Sequence, residues 1–407
     1  SAQKNRLNSI RDTPLFITLT IYQATRYSKH KRLFLCYIKN MRKPLQTLIF
    51  FAIGLAVFDG LIMLSVAAAN SANTYDPDTV IPPVTEAKTR LLFEGTVFWG
   101  RRTNTLARNS ELGVKYPFAQ LDTLHRENYQ AWIANLECPI TSNEHTEYEE
   151  EELLIFNCSP DYLEEAAKYY SAFSLGTNHA DNWGEEGIVE TKENLAAAGI
   201  QYFGHYRYDN GTENCGILSI PIEATLEDGF IYEYNIPVGF CSAHGVFGIP
   251  TEAAFANIEK YASVEYENSS DELRRNLFRG MIDRGADMVL ADHPHHVQNA
   301  EAYNGHLIVY SMGNFMFDQQ FDETVYSAAI DVTGTLPKET DFEAWDNVAY
   351  TCLKKHGDCL EDIKNSGLPR LDITWGNYDF VATTDADNIQ TRLGDENVRT
   401  FVGNRLN

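Results

Sequence analysis

Residues 285–319 read GADMVLADHPHHVQNAEAYNGHLIVYSMGNFMFDQ. Two short apolar runs stand out, Met288-Val289-Leu290 and His306-Leu307-Ile308-Val309-Tyr310. Runs of this length, bounded by turn residues, fit strands of a buried sheet. The first passes into Asp292-His293-Pro294-His295-His296 and the second into Ser311-Met312-Gly313-Asn314-Phe315. In α/β proteins the loops at the carboxyl ends of strands bind ligands. Three imidazoles within four residues at such an end are a metal-ligand or acid–base composition. Pro294 fixes the backbone between the first two rings. A His-rich surface turn is the bland alternative; the strand context that a site requires favours function.

The same alternation extends outward. Upstream, residues 270–284 have helical spacing, with Leu273, Leu277, Met281 and Ile282 on one side. Residues 89–96 predict a first strand running into Gly95, and residues 131–137 a second. A helix over 161–170 precedes a strand over 171–175. A helix over 186–198, closed by Gly199, precedes a strand over 200–204. Strands alternating with helices, with polar clusters at strand ends, are the α/β pattern. Residues 216–220 and 230–241 predict a hairpin around Glu227-Asp228-Gly229, and 253–261 a helix. Residues 327–332 and 371–382 predict antiparallel strands, with helix between them over 341–366.

The chain has 407 residues, 44% hydrophobic and 22% charged, enough for one large or two medium domains. Its net charge of -24 is unevenly spread. Residues 1–46 hold ten Lys/Arg and one Asp, so the remainder carries -33, the difference between -24 and +9. So acidic a body is a poor partner for nucleic acid or anionic lipid. Residues 48–69, LIFFAIGLAVFDGLIMLSVAAA, are long and apolar enough to cross a bilayer. Basic residues precede them, and no Lys or Arg follows until Lys88. The positive-inside rule then keeps the amino end in the cytoplasm and exports the body. An uncleaved anchor is favoured over a cleaved signal peptide, although Ala67-Ala68-Ala69 would suit cleavage. Asp59, mid-span, must be protonated or paired. Residues 70–89 read as a linker.

Cys36 falls on the cytoplasmic side and six cysteines in the exported part. An even number in an oxidising compartment predicts disulfides. Order along the chain suggests Cys138–Cys158, Cys215–Cys241 and Cys352–Cys359.

Four segments together carry a family likeness: FEGTVFWGRR from Phe93, ANLECPIT from Ala134, GTNHADNWGEEGIVETKENLAAAGIQYFGH from Gly176, and the opening stretch. In this order they resemble the CapA family of bacterial capsule (poly-gamma-glutamate) synthesis proteins, which share the calcineurin-like metallophosphoesterase fold. The resemblance covers roughly residues 90–320. It implies a four-layer α/β/β/α sandwich over 90–335, with 336–407 as a C-terminal extension packed on it. The domain follows a cytoplasmic segment over 1–47 and the anchor. The resemblance also implies a divalent metal (Mn, Mg or Zn) held by Glu137, Asn178, His293 and His295. His179 would protonate a leaving oxygen, and Asn314 would contact substrate. Apart from the resemblance, Arg101, just after the first strand, could bind a carboxylate or phosphate of substrate bidentately, with a solvated turn as the equal alternative. The implied setting is the cell membrane, crossed once, with the body outside and a surface polymer or its synthesis machinery as partner.

Two departures bear on activity. Where the family has Gly-Asp on the first strand, this chain has Gly95-Thr96, with Glu94 adjacent. Where the family has His-x-Gly-x-Glu, residues 261–266 read YASVEY. A two-metal centre needs about five or six protein ligands with a bridging carboxylate. A non-catalytic envelope module that keeps the fold is therefore the alternative to a metal-dependent hydrolase. Trp99, Trp132 and Trp183 read as packing residues, His296 as a bystander, and the acidic run over 147–152 as a solvated loop.

Overall fold

The computed structural model describes residues 82–206, 214–242, 244, 269–321, 323–385 and 389–407. The apolar segment 48–69, Cys36, the helix expected over 253–261 and the YASVEY stretch lie outside them. Among the described residues no helix is long and apolar enough to cross a membrane. Of two compact units, Thr20–Pro83 falls almost wholly outside the described residues; the other contains Val84–Asn407 and with it every described strand and helix.

The elements run β1 (Val84–Val97), α1 (Arg101–Asn109), β2 (Ala131–Leu136), α2 (Glu147–Leu153), α3 (Leu163–Ala166), β3 (Ala172–Ser174), α4 (Gly184–Ala198) and β4 (Gln201–Phe203). A hairpin follows, β5 (Cys215–Leu226) and β6 (Ile231–Cys241), then α5 (Glu272–Ile282), β7 (Met288–Leu290), β8 (Ala300–Tyr303), β9 (His306–Val309) and β10 (Asn314–Met316). The chain ends with β11 (Tyr326–Leu336), α6 (Phe342–Lys354), α7 (Leu360–Ser366), β12 (Thr374–Thr384), β13 (Arg392–Leu393) and α8 (Glu396–Leu406).

This is a mixed α/β fold built on one ten-stranded sheet, ordered β13-β12-β11-β1-β2-β3-β4 along its main path. β1 is its spine. Along one edge it pairs first with β5 and then, in parallel, with β2. Along the other it pairs with β11 and then, in parallel, with β10. A separate three-stranded sheet runs β7-β9-β8.

Side-chain alternation divides the core. Phe93, Ile133 and Ile330 face one way and join Leu218, Ile236 and Val309. Leu92, Trp132 and Phe173 face the other way and join Trp99, Phe118 and Tyr162. The central strands β2 and β3 are thus buried on both faces, which is why they read as nearly unbroken apolar runs. A third cluster, Ile282, Ile308 and Tyr310 with Phe278, joins α5 to the small sheet.

Several expectations need correction. β1 begins at Val84, inside the stretch read as linker, and its first residues pair with β5. Helix over 161–170 shrinks to a short 3-10 turn and α3, with Ala167 exposed. The acidic run is α2, opened by a capping box between Thr146 and Glu149. The Thr-x-x-Glu spacing was legible as a helix start; high charge obscured it. The loop after Gly100 is α1, whose polar face hid its helical period.

The three disulfides pair as order along the chain suggested: Cys138–Cys158, Cys215–Cys241 and Cys352–Cys359. Cys215 and Cys241 stand opposite one another at the open end of the hairpin.

Gly95 is required by a close approach. A Cβ there would lie 2.1 Å from Gly313 O. The backbone bulges at this point, so Glu94 pairs with Ala134 while Thr96 pairs with Asn135. Replacing Gly95 by Ala should cost about 1–3 kcal/mol through overpacking against backbone that cannot move aside. Urea unfolding measures this; an unchanged midpoint would refute the contact.

Candidate metal centre

Glu137 follows β2, and its backbone N–H donates to Val97 O at 3.0 Å. The end of β1 therefore sets its position. His293 and His295 follow β7 on the neighbouring small sheet. One carboxylate oxygen of Glu137 and one ring nitrogen of each histidine lie within 4.8 Å of one another. Two donors bound at about 2.1 Å to a tetrahedral cation sit roughly 3.4 Å apart. A small side-chain closure makes this a three-ligand set. One carboxylate and two imidazoles suit a divalent metal such as Mn or Zn.

The histidine loop is strained. His293 has φ 90° and His295 φ 57°, a region that costs non-glycine residues about 1 kcal/mol or more each. Such strain persists where surroundings over-determine it, and it clusters at functional sites. Here the loop is held by the bridge between Val297 and Met312. A 2.7 Å hydrogen bond between His295 Nδ1 and Asn314 Oδ1 holds it as well. Asn314 Nδ2 donates to Gln319 Oε1 at 3.0 Å, which turns Oδ1 toward the ring. Nδ1 of His295 then carries the proton and Nε2 the lone pair that a cation needs. Burial pushes His295 down to about 4, so the ring is neutral, as a ligand must be. Asn314, expected at substrate, orients the ring of His295.

Asn178 and His179 lie in the turn after β3, and Asn178 is buried. His179 is not one of the three clustered donors; a proton on its ring would disfavour one on His295. Its ring stacks on Phe156 with centroids 3.9 Å apart, and Nδ1 meets Asn182 Oδ1 at 3.0 Å. Burial pushes it down to about 4. At neutral pH it is an uncharged imidazole, hydrogen-bonded to Asn182 and to the Leu154 backbone. In that form it accepts a proton before it can donate one.

Thr96 brings no charge, and Glu94 does not make good the loss. Glu94 is buried in the aromatic core, and burial pushes its carboxyl well above the usual range. Arg126 and Tyr170 only partly offset this.

Arg101, also expected at substrate, is spoken for. Its guanidinium forks onto Asp318, with Nε donating to Oδ2 at 3.0 Å. It lies over the rings of Phe156, Phe98 and Phe317 at 4.6, 5.1 and 5.5 Å. Its backbone N–H donates to Glu150 Oε2 at 2.7 Å. Arg101 also walls a polar cleft of about 220 Å³ with Asn104, Thr105, Arg108, His145 and Glu150. Residues 101, 104, 105 and 108 share one face of α1. Glu150, buried in that cleft, is held up to about 7, burial outweighing the Arg101 N–H.

The family model described as bacterial capsule synthesis protein PGA_cap matches residues 90–224 and 262–319. The chain is 27% identical over 322 residues to the PGA biosynthesis protein CapA of Bacillus subtilis (strain 168), covering 74% of this chain and 80% of that protein. It is 21% identical over 262 residues to the capsule biosynthesis protein CapA of Bacillus anthracis, covering 60% and 63%. Among solved structures, a Staphylococcus aureus protein described as a 5'-nucleotidase, in complex with alpha-ketoglutarate, aligns at a TM-score of 0.34 and 11% identity. That alignment covers 78% of this chain and 58% of that one.

Glu150 generates a pH prediction. Its folded-state value, about 7, exceeds the ordinary 4.5, so the native state holds the proton more tightly. Its contribution is fully present below about pH 4.5 and is lost as pH rises through about 7. Glu150→Gln should therefore gain Tm relative to wild type between pH 5 and about 7.5. A Tm difference that stays constant over that range would refute the assignment.

Proposed function

This chain belongs to the CapA family of bacterial capsule synthesis proteins, and from that premise we propose an envelope function for it. It acts in making or exporting an anionic surface polymer. Its body is a metallophosphoesterase-type four-layer domain, anchored by residues 48–69 and working outside the cytoplasmic membrane as a metal-dependent hydrolase. The observation that carries the hydrolase reading is the convergence of Glu137, after β2, with His293 and His295 on the strained loop after β7. The three apolar clusters support the layered reading. Export is supported by the basic amino end, the acidic body and three disulfides.

A divalent cation, when bound, would supply Lewis acidity toward water and a phosphoester oxygen. The chain's own residues do the rest. Glu137 supplies negative charge at the cation, and Asn314 keeps the His295 lone pair pointed outward. Neutral His179 takes up a proton and returns it to the leaving oxygen. The cleft along α1 offers Asn104, Thr105 and Arg108 to an acceptor-rich segment of the polymer. Thr96 favours a second reading, a non-catalytic module that binds polymer with the same cleft.

Metal analysis of the purified chain, with a phosphodiester assay across Mn, Mg and Zn, tests the proposal. We expect bound metal and turnover, with both lost together in His295→Ala. In Asn314→Ala the loss of orientation should weaken metal affinity by about 10–100-fold. Metal without turnover would leave the binding module; neither would remove the hydrolase.

A further inference from the structure

The β5–β6 hairpin ends in an apolar tip that the described residues leave uncovered. Phe230, Ile231 and Tyr232 are 68%, 61% and 47% exposed. Among the described residues no other three large apolar side chains in a row are exposed. Single exposed apolar residues need no explanation, but a contiguous group marks an interaction site. Side chains alternate along a strand, so Phe230 and Tyr232 leave one face of the ribbon and Ile231 the other. The tip is firmly built. The Leu226 N–H donates to Phe230 O at 2.9 Å and closes the turn. Tyr232 stacks on Tyr234 with centroids 6.4 Å apart, and Tyr234 on Phe342 of α6 at 5.5 Å.

The point where the chain enters the domain says what the tip meets. Val84, the first residue of β1, pairs with Leu226, the last residue of β5. The chain therefore comes in beside the turn. Only the 14 residues 70–83 separate this point from the apolar segment 48–69. A stretch of that length spans at most about 50 Å. A flat protein surface would cover one face of the ribbon, whereas a bilayer interface takes in both. Phe and Ile suit the acyl boundary, and Tyr suits the headgroup level. The charged residues at the tip, Glu227, Asp228 and Glu233, are acidic. Apolar burial, and not attraction to anionic headgroups, is then what draws the tip in.

We propose that Phe230, Ile231 and Tyr232 enter the headgroup–acyl boundary of the membrane that holds the anchor, and so fix how the body stands on it. The proposal rests on the reading of residues 48–69 as an anchor. β1 is 14 residues long, about 40 Å at the rise of a strand. The tip lies beside its first residue, and Glu137 is held at its last. The candidate metal centre is thus at the end of β1 away from the bilayer.

The test places the full chain in phosphatidylcholine nanodiscs with plain or brominated acyl chains, bromine being a contact quencher of indole. Phe230→Trp and Ile231→Trp keep a large apolar side chain at an exposed position. Leu393→Trp, on β13 at the far edge of the sheet, is the control. Wild type, with five Trp, supplies the background. We expect brominated lipid to quench the emission that the two tip substitutions add and to spare that of the control. The loss should persist in high salt, which screens charge and leaves apolar burial intact. If the chain enters the bilayer and neither tip substitution is quenched beyond the control, this inference fails and the anchor reading stands. Quenching at position 230 or 231 alone would show a one-faced contact, and quenching abolished by salt a charge-driven one; either overturns the proposal. If the chain does not enter the bilayer, the anchor reading fails, and this inference with it.

Discussion

The backbone of β1 is the constraint on which the rest of the molecule depends. A strand has two hydrogen-bonding edges, and this one is long enough to use each of them twice. Its first half joins the hairpin β5–β6 and the antiparallel strands β11–β12. Its second half joins the parallel strands β2–β3 and, on the other edge, β10. The changeover from antiparallel to parallel neighbours happens within one continuous element. The loop bearing Glu137 and the segment bearing Asn314 are therefore referred to the same end of the same strand. Glu137 hangs from Val97 O, and Asn314 sits opposite Thr96.

The contact of Gly95 with Gly313 shows how tight this reference is. A side chain at position 95 would strike the carbonyl of Gly313. Gly313 in turn has φ 77°, a conformation that glycine adopts without strain. Two glycines thus let the loop after β9 lie directly against β1, and Asn314 follows at once. From there the hydrogen bond to His295 fixes the ring whose lone pair matters. Stability spent on left-handed histidines is recovered through this packing, as is usual where a site demands an unfavourable backbone.

Arg101 illustrates a different economy. A guanidinium near a proposed phosphoester site invites assignment to substrate. Instead it is forked to Asp318 and enclosed by three aromatic rings. It ties the start of α1 to the segment after β10. Its charge still reaches His179 and His295, where it favours the neutral rings.

Much of this was legible in the residues themselves. The alternation of apolar runs with helical spacing identified β2, β3, α4, β7 and β9, because local burial imposes a local period. The loops bearing Glu137, His293 and His295 were legible for the same reason: they follow strands. The disulfide pairing followed from order along the chain. Other features depended on distance in space. Nothing local says that Asn314 faces His295, that Asp318 would pair with Arg101, or that a bulge at Gly95 would turn Glu94 into the aromatic core. The extension of β1 to Val84 required β5 as a partner some 140 residues away. The sequence by itself determined where most of the strands lie and which loops carry ligand-type residues, since those are matters of composition and period. Only the tertiary structure decided which of those groups bind one another, because hydrogen bonds and charges act between neighbours in space and the chain order does not encode who those neighbours are.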